Sequence, residues 1–174
     1  MNRRWLPLCS AVFLIAFGST LASAQVEVWS GRTFAFAKGP FANPTLPQNQ
    51  DHITTHCWIT RGNTMGIYNI ALESAYTHYV SPSATLWATG DAVNHASLSF
   101  KDWEDWAQSY PPLTVGVKAC MLIVDGPHQI YLDIMFTSWG QLTGGGGAFS
   151  YVRALPPVVP TQPTSWGRIK QLYR

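Results

Sequence analysis

Charge is what this sequence has least of. Lys, Arg, Asp and Glu make up 11% of its 174 residues. With Arg3 and Arg4 set aside as part of a leader, basic and acidic residues are equal in number. Such a chain has no electrostatic basis for holding nucleic acid or an anionic membrane, both of which call for clustered Lys and Arg. A long apolar run is also lacking. Leu6 to Phe17 turns polar at Gly18-Ser19-Thr20, short of the roughly 20 residues that span a bilayer. The four successive glycines Gly144 to Gly147 lack the Lys and the helix that a phosphate loop needs, because the strand-like Ala148-Phe149-Ser150-Tyr151 follows. Around Ser138, Phe136 stands where a nucleophile elbow requires its first glycine.

What is present begins with an export signal. Arg3 and Arg4 precede the apolar run, and Ala22-Ser23-Ala24 supplies small residues at the cleavage spacing, so residues 1–24 read as a signal peptide. The remainder has the size of one ordinary domain. Cysteine is scarce, with three in all, and cleavage removes Cys9. Cys57 and Cys120 are then expected to pair in the oxidising space outside the cytoplasm. Closing a loop of that length would stabilise the fold by roughly 4 kcal/mol in the chain-entropy view. A thiol nucleophile is the alternative, but His56 and Cys57 as strand neighbours would point to opposite faces.

Hydrophobic periodicity organises the rest. Val26 to Trp29 and Thr33 to Lys38 read as strands, residues 39–50 as a Pro-rich loop, and Ile53 to Thr60 as a third strand. Ile67 to Tyr79 carries Tyr68, Leu72, Ala75, Tyr76 and Tyr79 at helical steps. A second helix is expected over Phe100 to Ser109, capped by Ser99, with Phe100, Trp103, Trp106 and Ala107 inward and Lys101, Asp102, Glu104 and Asp105 solvated. Val115 to Val124, a turn at Asp125-Gly126-Pro127-His128, Ile130 to Trp139, a Gly-rich connection and Ala148 to Arg153 make a three-stranded meander. Its middle strand turns Ile130, Leu132, Ile134 and Phe136 to the core. Leu155 to Ser165 reads as an extended linker and Trp166 to Arg174 as a short terminal element.

No residue set meets the requirements of a known reaction, and no catalytic residue, cofactor or metal ligand is assigned. His52 and His56 have a chelating spacing only on a helix, and on a strand their rings would stand roughly 13 Å apart. Asp102, Asp105 and Asp133 are candidate acids for a glycoside hydrolase, which needs two carboxylates about 5 to 10 Å apart. Their bland reading is a solvated helix face and a surface strand. Glu73, within an apolar stretch, is the more curious acid. Tryptophan is the one surplus, and flat indoles stack on sugar rings as well as on core neighbours. Trp58, Trp103, Trp106 and Trp139, with Tyr131 and Asp133 on the polar face of their strand, are the candidate ligand contacts.

Three segments, IYLDIMFTSWG, GGGGAFSYVR and the ending WGRIKQLYR, resemble a recurrent domain of exported bacterial proteins, and HITTHCWITRGNTMGIYN and FKDWEDWAQSYPP share the likeness. The resemblance implies an extracellular β-rich module, often part of larger surface or secreted proteins, and carries no activity or catalytic residue with it. The sequence as a whole predicts a mainly β protein. An antiparallel β-sandwich or jelly-roll-like domain with one or two short helices and one disulfide would occupy residues 25–154, followed by a Pro-rich linker and short element over 155–174. The expected role is a non-catalytic binding or structural module, secreted or periplasmic. Its partner would be an unknown extracellular ligand, polysaccharide or another envelope protein, with no nucleic acid and no transmembrane segment. A lectin-like module and a small glycoside hydrolase are the alternatives.

Overall fold

The structure, a computed structural model, describes residues 25–158. The predicted signal peptide and most of the predicted linker and terminal element lie outside that range. The fold is mainly β and built from two sheets, antiparallel throughout except for one parallel pair in the larger. The larger contains β1 (Gln25–Trp29), β2 (Thr33–Lys38), β6 (Thr85–Thr89), β7 (Lys118–Asp125), β8 (His128–Trp139) and β9 (Phe149–Ala154). The smaller contains β3 (Asp51–His52), β4 (Trp58–Arg61) and β5 (Ile67–Asn69).

Twelve-residue β8 organises the larger sheet, whose order is β2-β9-β8-β7-β6. One edge of β8 pairs with β7, and the other is shared between β1, parallel at residues 128–132, and β9, antiparallel at residues 134–139. Its alternation is as read from sequence, since Ile130, Leu132, Ile134 and Phe136 are all buried. They pack with Trp87, Met121 and Tyr151 of the same sheet against Cys57, Ile59 and Ile67 from the smaller one. Tyr151 and Arg153 of β9 also reach across to Asp51 of β3. Arg153 donates from Nε and Nη2 at 2.6 and 2.7 Å, and the Tyr151 hydroxyl donates at 2.7 Å. All three side chains are buried, so this ion pair fixes one layer to the other.

The meander and the first two strands stand as expected, while four expectations need correction. Residues 67–79 are not a helix. Ile67–Asn69 pairs with β4, and Asn69 then holds the chain in a turn: its side chain accepts from the Trp58 and Ala71 N–H groups and donates to the carbonyls of His56 and Ser83. A short polar side chain bonded to neighbouring backbone competes with the helical ladder. The second helix shrinks to α1 (Trp103–Trp106), capped by Asp102 and not Ser99. Lys101 is already bonded in both directions to Trp87, and Gln108 and Ser109 leave the helix at φ +53°. Ile53 to Thr60 is interrupted by a turn, leaving only β4 within it, and β6 was not foreseen.

The fourth correction concerns the disulfide. Cys57 and Cys120 are both free and buried. Met121 and Leu132 form a cross-strand pair on the core face, so the neighbouring pair Cys120 and Asp133 lies on the outer face. Cys57 belongs to the core on the inner side. The sheet stands between the two sulfurs. Burial pushes the Cys120 thiol up to about 12 and raises that of Cys57 further still, so neither is a ready nucleophile.

The glycine run is a packed turn. Gly147 has φ +68°, and a Cβ there would lie 1.8 Å from the Gly62 carbonyl oxygen. Only glycine lets the connection after β8 approach the β4–β5 turn so closely. That approach sets one wall of the cleft described next.

Candidate functional site

An open cleft of about 250 Å3 lies where the β4–β5 turn, α1 and its following loop, and the end of β8 converge. Its walls are aromatic: Tyr76, Trp103, Tyr110 and Trp139 all line it. Trp103 comes from the buried side of α1 and Trp139 from the last position of β8, with ring centres 5.5 Å apart. Tyr76 meets Trp103 edge to face at 6.3 Å. Gly66 makes this junction possible, because a Cβ there would come within 2.4 Å of the Tyr76 ring and 2.6 Å of Trp103. Tyr110, 50% exposed, stands at the mouth with its hydroxyl donating to Gln141 Oε1 at 3.1 Å.

Polar groups sit at two ends of this apolar space. At one, Glu104 is buried beneath Tyr76 and His78. Its carboxylate accepts from the Tyr76 hydroxyl at 2.5 Å, the Tyr79 N–H at 3.1 Å and His78 Nδ1 at 2.9 Å. Burial alone would raise the Glu104 pKa, but the hydrogen bonds from Tyr76, His78 and Tyr79 together outweigh it and hold the group below the usual range. Glu104 is therefore ionised at neutral pH and can only accept. The proton of the shared bond therefore belongs to His78 Nδ1, and the His78 ring lines the cleft. The same contact, after burial, raises the Tyr76 phenol.

At the other end lies Arg61, the last residue of β4. It is 3% exposed, and its guanidinium stacks 3.7 Å above the Trp139 ring. Nε donates to the Met65 carbonyl at 2.6 Å, and Nη1 donates to the carbonyls of Gly140 and Ala148 at 3.0 and 2.9 Å. These bonds clamp the ends of the glycine-rich connection to the smaller sheet. Burial draws the Arg61 pKa down to about 10, which still leaves it charged at neutral pH.

The rim holds backbone strain. Ser109 and Leu142, which line the cleft, have φ of 53° and 54°, and the Leu142 side chain is 86% exposed. Such conformations cost of order 1–3 kcal/mol each in non-glycine residues and concentrate where ligands bind. Trp103 Nε1 is the one buried side-chain polar atom without a partner among the described residues.

Of the candidate contacts read from sequence, the structure brings only Trp103 and Trp139 to this cleft. Trp58 stacks on His52 at 4.2 Å and donates to the Thr54 carbonyl. Trp106 packs on Trp87 at 5.5 Å and donates to Thr89 Oγ1. Tyr131 packs against His95 and Phe100 on the outer face of β8, and Asp133 accepts there from the Ala92 N–H at 2.6 Å. Asp102 and Asp105 hold each other at the start of α1. Glu73 accepts from the N–H groups of Asn69 and Ser83 and from the Ser81 hydroxyl, a turn-fixing role. His52 and His56 are engaged separately, with Gln50 and with Asp125.

Arg61, Tyr76, His78, Glu104 and Tyr110 escaped the sequence reading. Glu104 carried a faint signal, since on a helix it falls beside Trp103 and one turn from Ala107. Arg61 ends an otherwise uncharged strand. The other three lie on turns whose geometry no periodicity describes. Compared with known proteins, the chain matches no family model, no curated protein and no solved structure. Among the described residues, no helix is long and apolar enough to cross a membrane.

Proposed function

We propose that the protein is an exported binding module whose aromatic cleft takes one ring of a glycan. Export rests on the N-terminal pattern of basic, apolar and small residues. The single observation behind the ligand class is the pairing of four aromatic rings with directional polar groups in one open cleft of about 250 Å3, room for a small ring. Sugars present apolar C–H faces ringed by hydroxyl groups, and this lining answers both. Tyr110 is available for stacking, while Gln141 and His78 can meet hydroxyls.

The hydrolase alternative has less support. Glu104 is the only carboxylate lining the cleft, and its ionised state suits it to orient His78 more than to deliver a proton. A panel of neutral and acidic oligosaccharides titrated against the protein tests the reading. At least one should bind, and Tyr110→Ala, which alters an exposed ring, should weaken it about tenfold, in line with loss of one aromatic contact. Absence of binding across the panel would remove the glycan reading.

A further inference from the structure

Among the described residues, Arg61 is a buried cation without an anion. All nine Asp and Glu residues lie within the described region, and each is committed elsewhere. Asp51 holds Arg153, Asp91 holds Lys118, Asp125 holds His56 and Glu104 holds His78. Glu73 and Asp133 accept backbone N–H groups, Glu27 accepts from Trp29 Nε1, and Asp102 and Asp105 share a bond. Arg61 spends Nε and Nη1 on carbonyls, and Nη2 makes no side-chain hydrogen bond. Arg61 is nonetheless one of the residues that line the cleft. Lys38 is a second buried cation, with one long bond, 3.5 Å, to the Gly147 carbonyl. Burial and then the Arg61 charge lower the Lys38 pKa, as expected of two like charges with no counter-ion between them.

We propose that Arg61 Nη2 binds the carboxylate of an acidic sugar, a uronic acid, in the cleft. The inference rests on the glycan reading above and adds the charge of the ligand. A carboxylate supplies the missing negative charge and accepts the free N–H donors in a charge-assisted bond. Its single charge matches the one guanidinium nitrogen that makes no side-chain hydrogen bond. The ring attached to that carboxylate then lies among Trp139, Tyr110 and Tyr76, with hydroxyls in reach of Gln141 and His78.

Calorimetric titration of the protein with oligomers of galacturonate and of mannuronate, each beside its methyl ester, tests this. Esterification removes the charge and keeps the ring. The free acid of at least one oligomer should bind tenfold or more tightly than its ester, and the advantage should shrink as salt rises. Arg61→Gln should abolish the difference between acid and ester. If that variant does not fold, as judged by circular dichroism, the acid-to-ester ratio in the unaltered protein decides. Equal binding of acid and ester would overturn the carboxylate site and leave the glycan reading standing. No binding of acids, esters or neutral sugars would remove both. Inorganic phosphate competing as well as galacturonate or mannuronate at equal concentration would overturn the assignment to an acidic sugar.

Discussion

Glu104 decides how the cleft is wired. It sits between two tryptophans in a helix of only four residues, yet it gathers a phenol, an imidazole and a backbone N–H around one carboxylate. Removing a buried, fully bonded charge leaves its donors unmet, so Glu104→Ala should cost about 2–4 kcal/mol in urea unfolding at pH 7. The folded pKa of Glu104 is depressed. Its contribution is therefore present above the unfolded value, about 4.3, and is lost as pH falls through the folded value. The gap between the original protein and Glu104→Gln should narrow when the same unfolding is measured near pH 3. An unchanged gap would mean that the carboxylate charge has no part in stability.

At the scale of elements, strands that alternate cleanly were legible in the sequence and turns built by side chains were not. β8 was found because a half-buried strand writes period two into the chain, and β7 because its run is nearly continuously apolar. Residues 67–79 were misread because chance helical spacing of aromatics hid Asn69 and Glu73, whose bonds to backbone make the turn. The polar device joining the two sheets was equally hidden, since Asp51 and Arg153 stand about a hundred residues apart in sequence. Arg153→Ala would strand Asp51 in the core, and stability should fall by about 3–5 kcal/mol. Replacing both partners, Asp51→Leu with Arg153→Met, should recover much of that loss in the same denaturant experiment. A double variant no better than the single would show that the pair contributes more than mutual neutralisation.

For the molecule as a whole, among its described residues, the two layers are held by packing, by that buried ion pair and by the bonds of Arg61 to Gly140 and Ala148, with no covalent tie. Cys57 and Cys120 on opposite sides of the larger sheet cannot join without dismantling it. The melting temperature should be the same with and without a reductant. After unfolding without reductant, both cysteines should be alkylated, as peptide mass spectrometry would read. A reductant-sensitive melt, or a Cys57–Cys120 linked peptide, would contradict the arrangement. The tryptophan surplus that marked the sequence divides in the same way. Trp87 belongs to the core and Trp106 packs against it, Trp58 serves the smaller sheet, and the buried Trp103 walls the cleft together with Trp139. Sequence supplied the residue type, and only the packing of three distant segments separated wall from core.

That division gives the most direct test. Indole N–H signals in a two-dimensional NMR spectrum report each tryptophan separately, so a titration with a uronic acid oligomer shows which rings meet the ligand. The signals of Trp103 and Trp139 are expected to move in a saturable way while those of Trp58 and Trp106 stay in place. Movement of Trp58 or Trp106 without Trp103 and Trp139, or no movement with any glycan offered, would contradict the cleft as the ligand site.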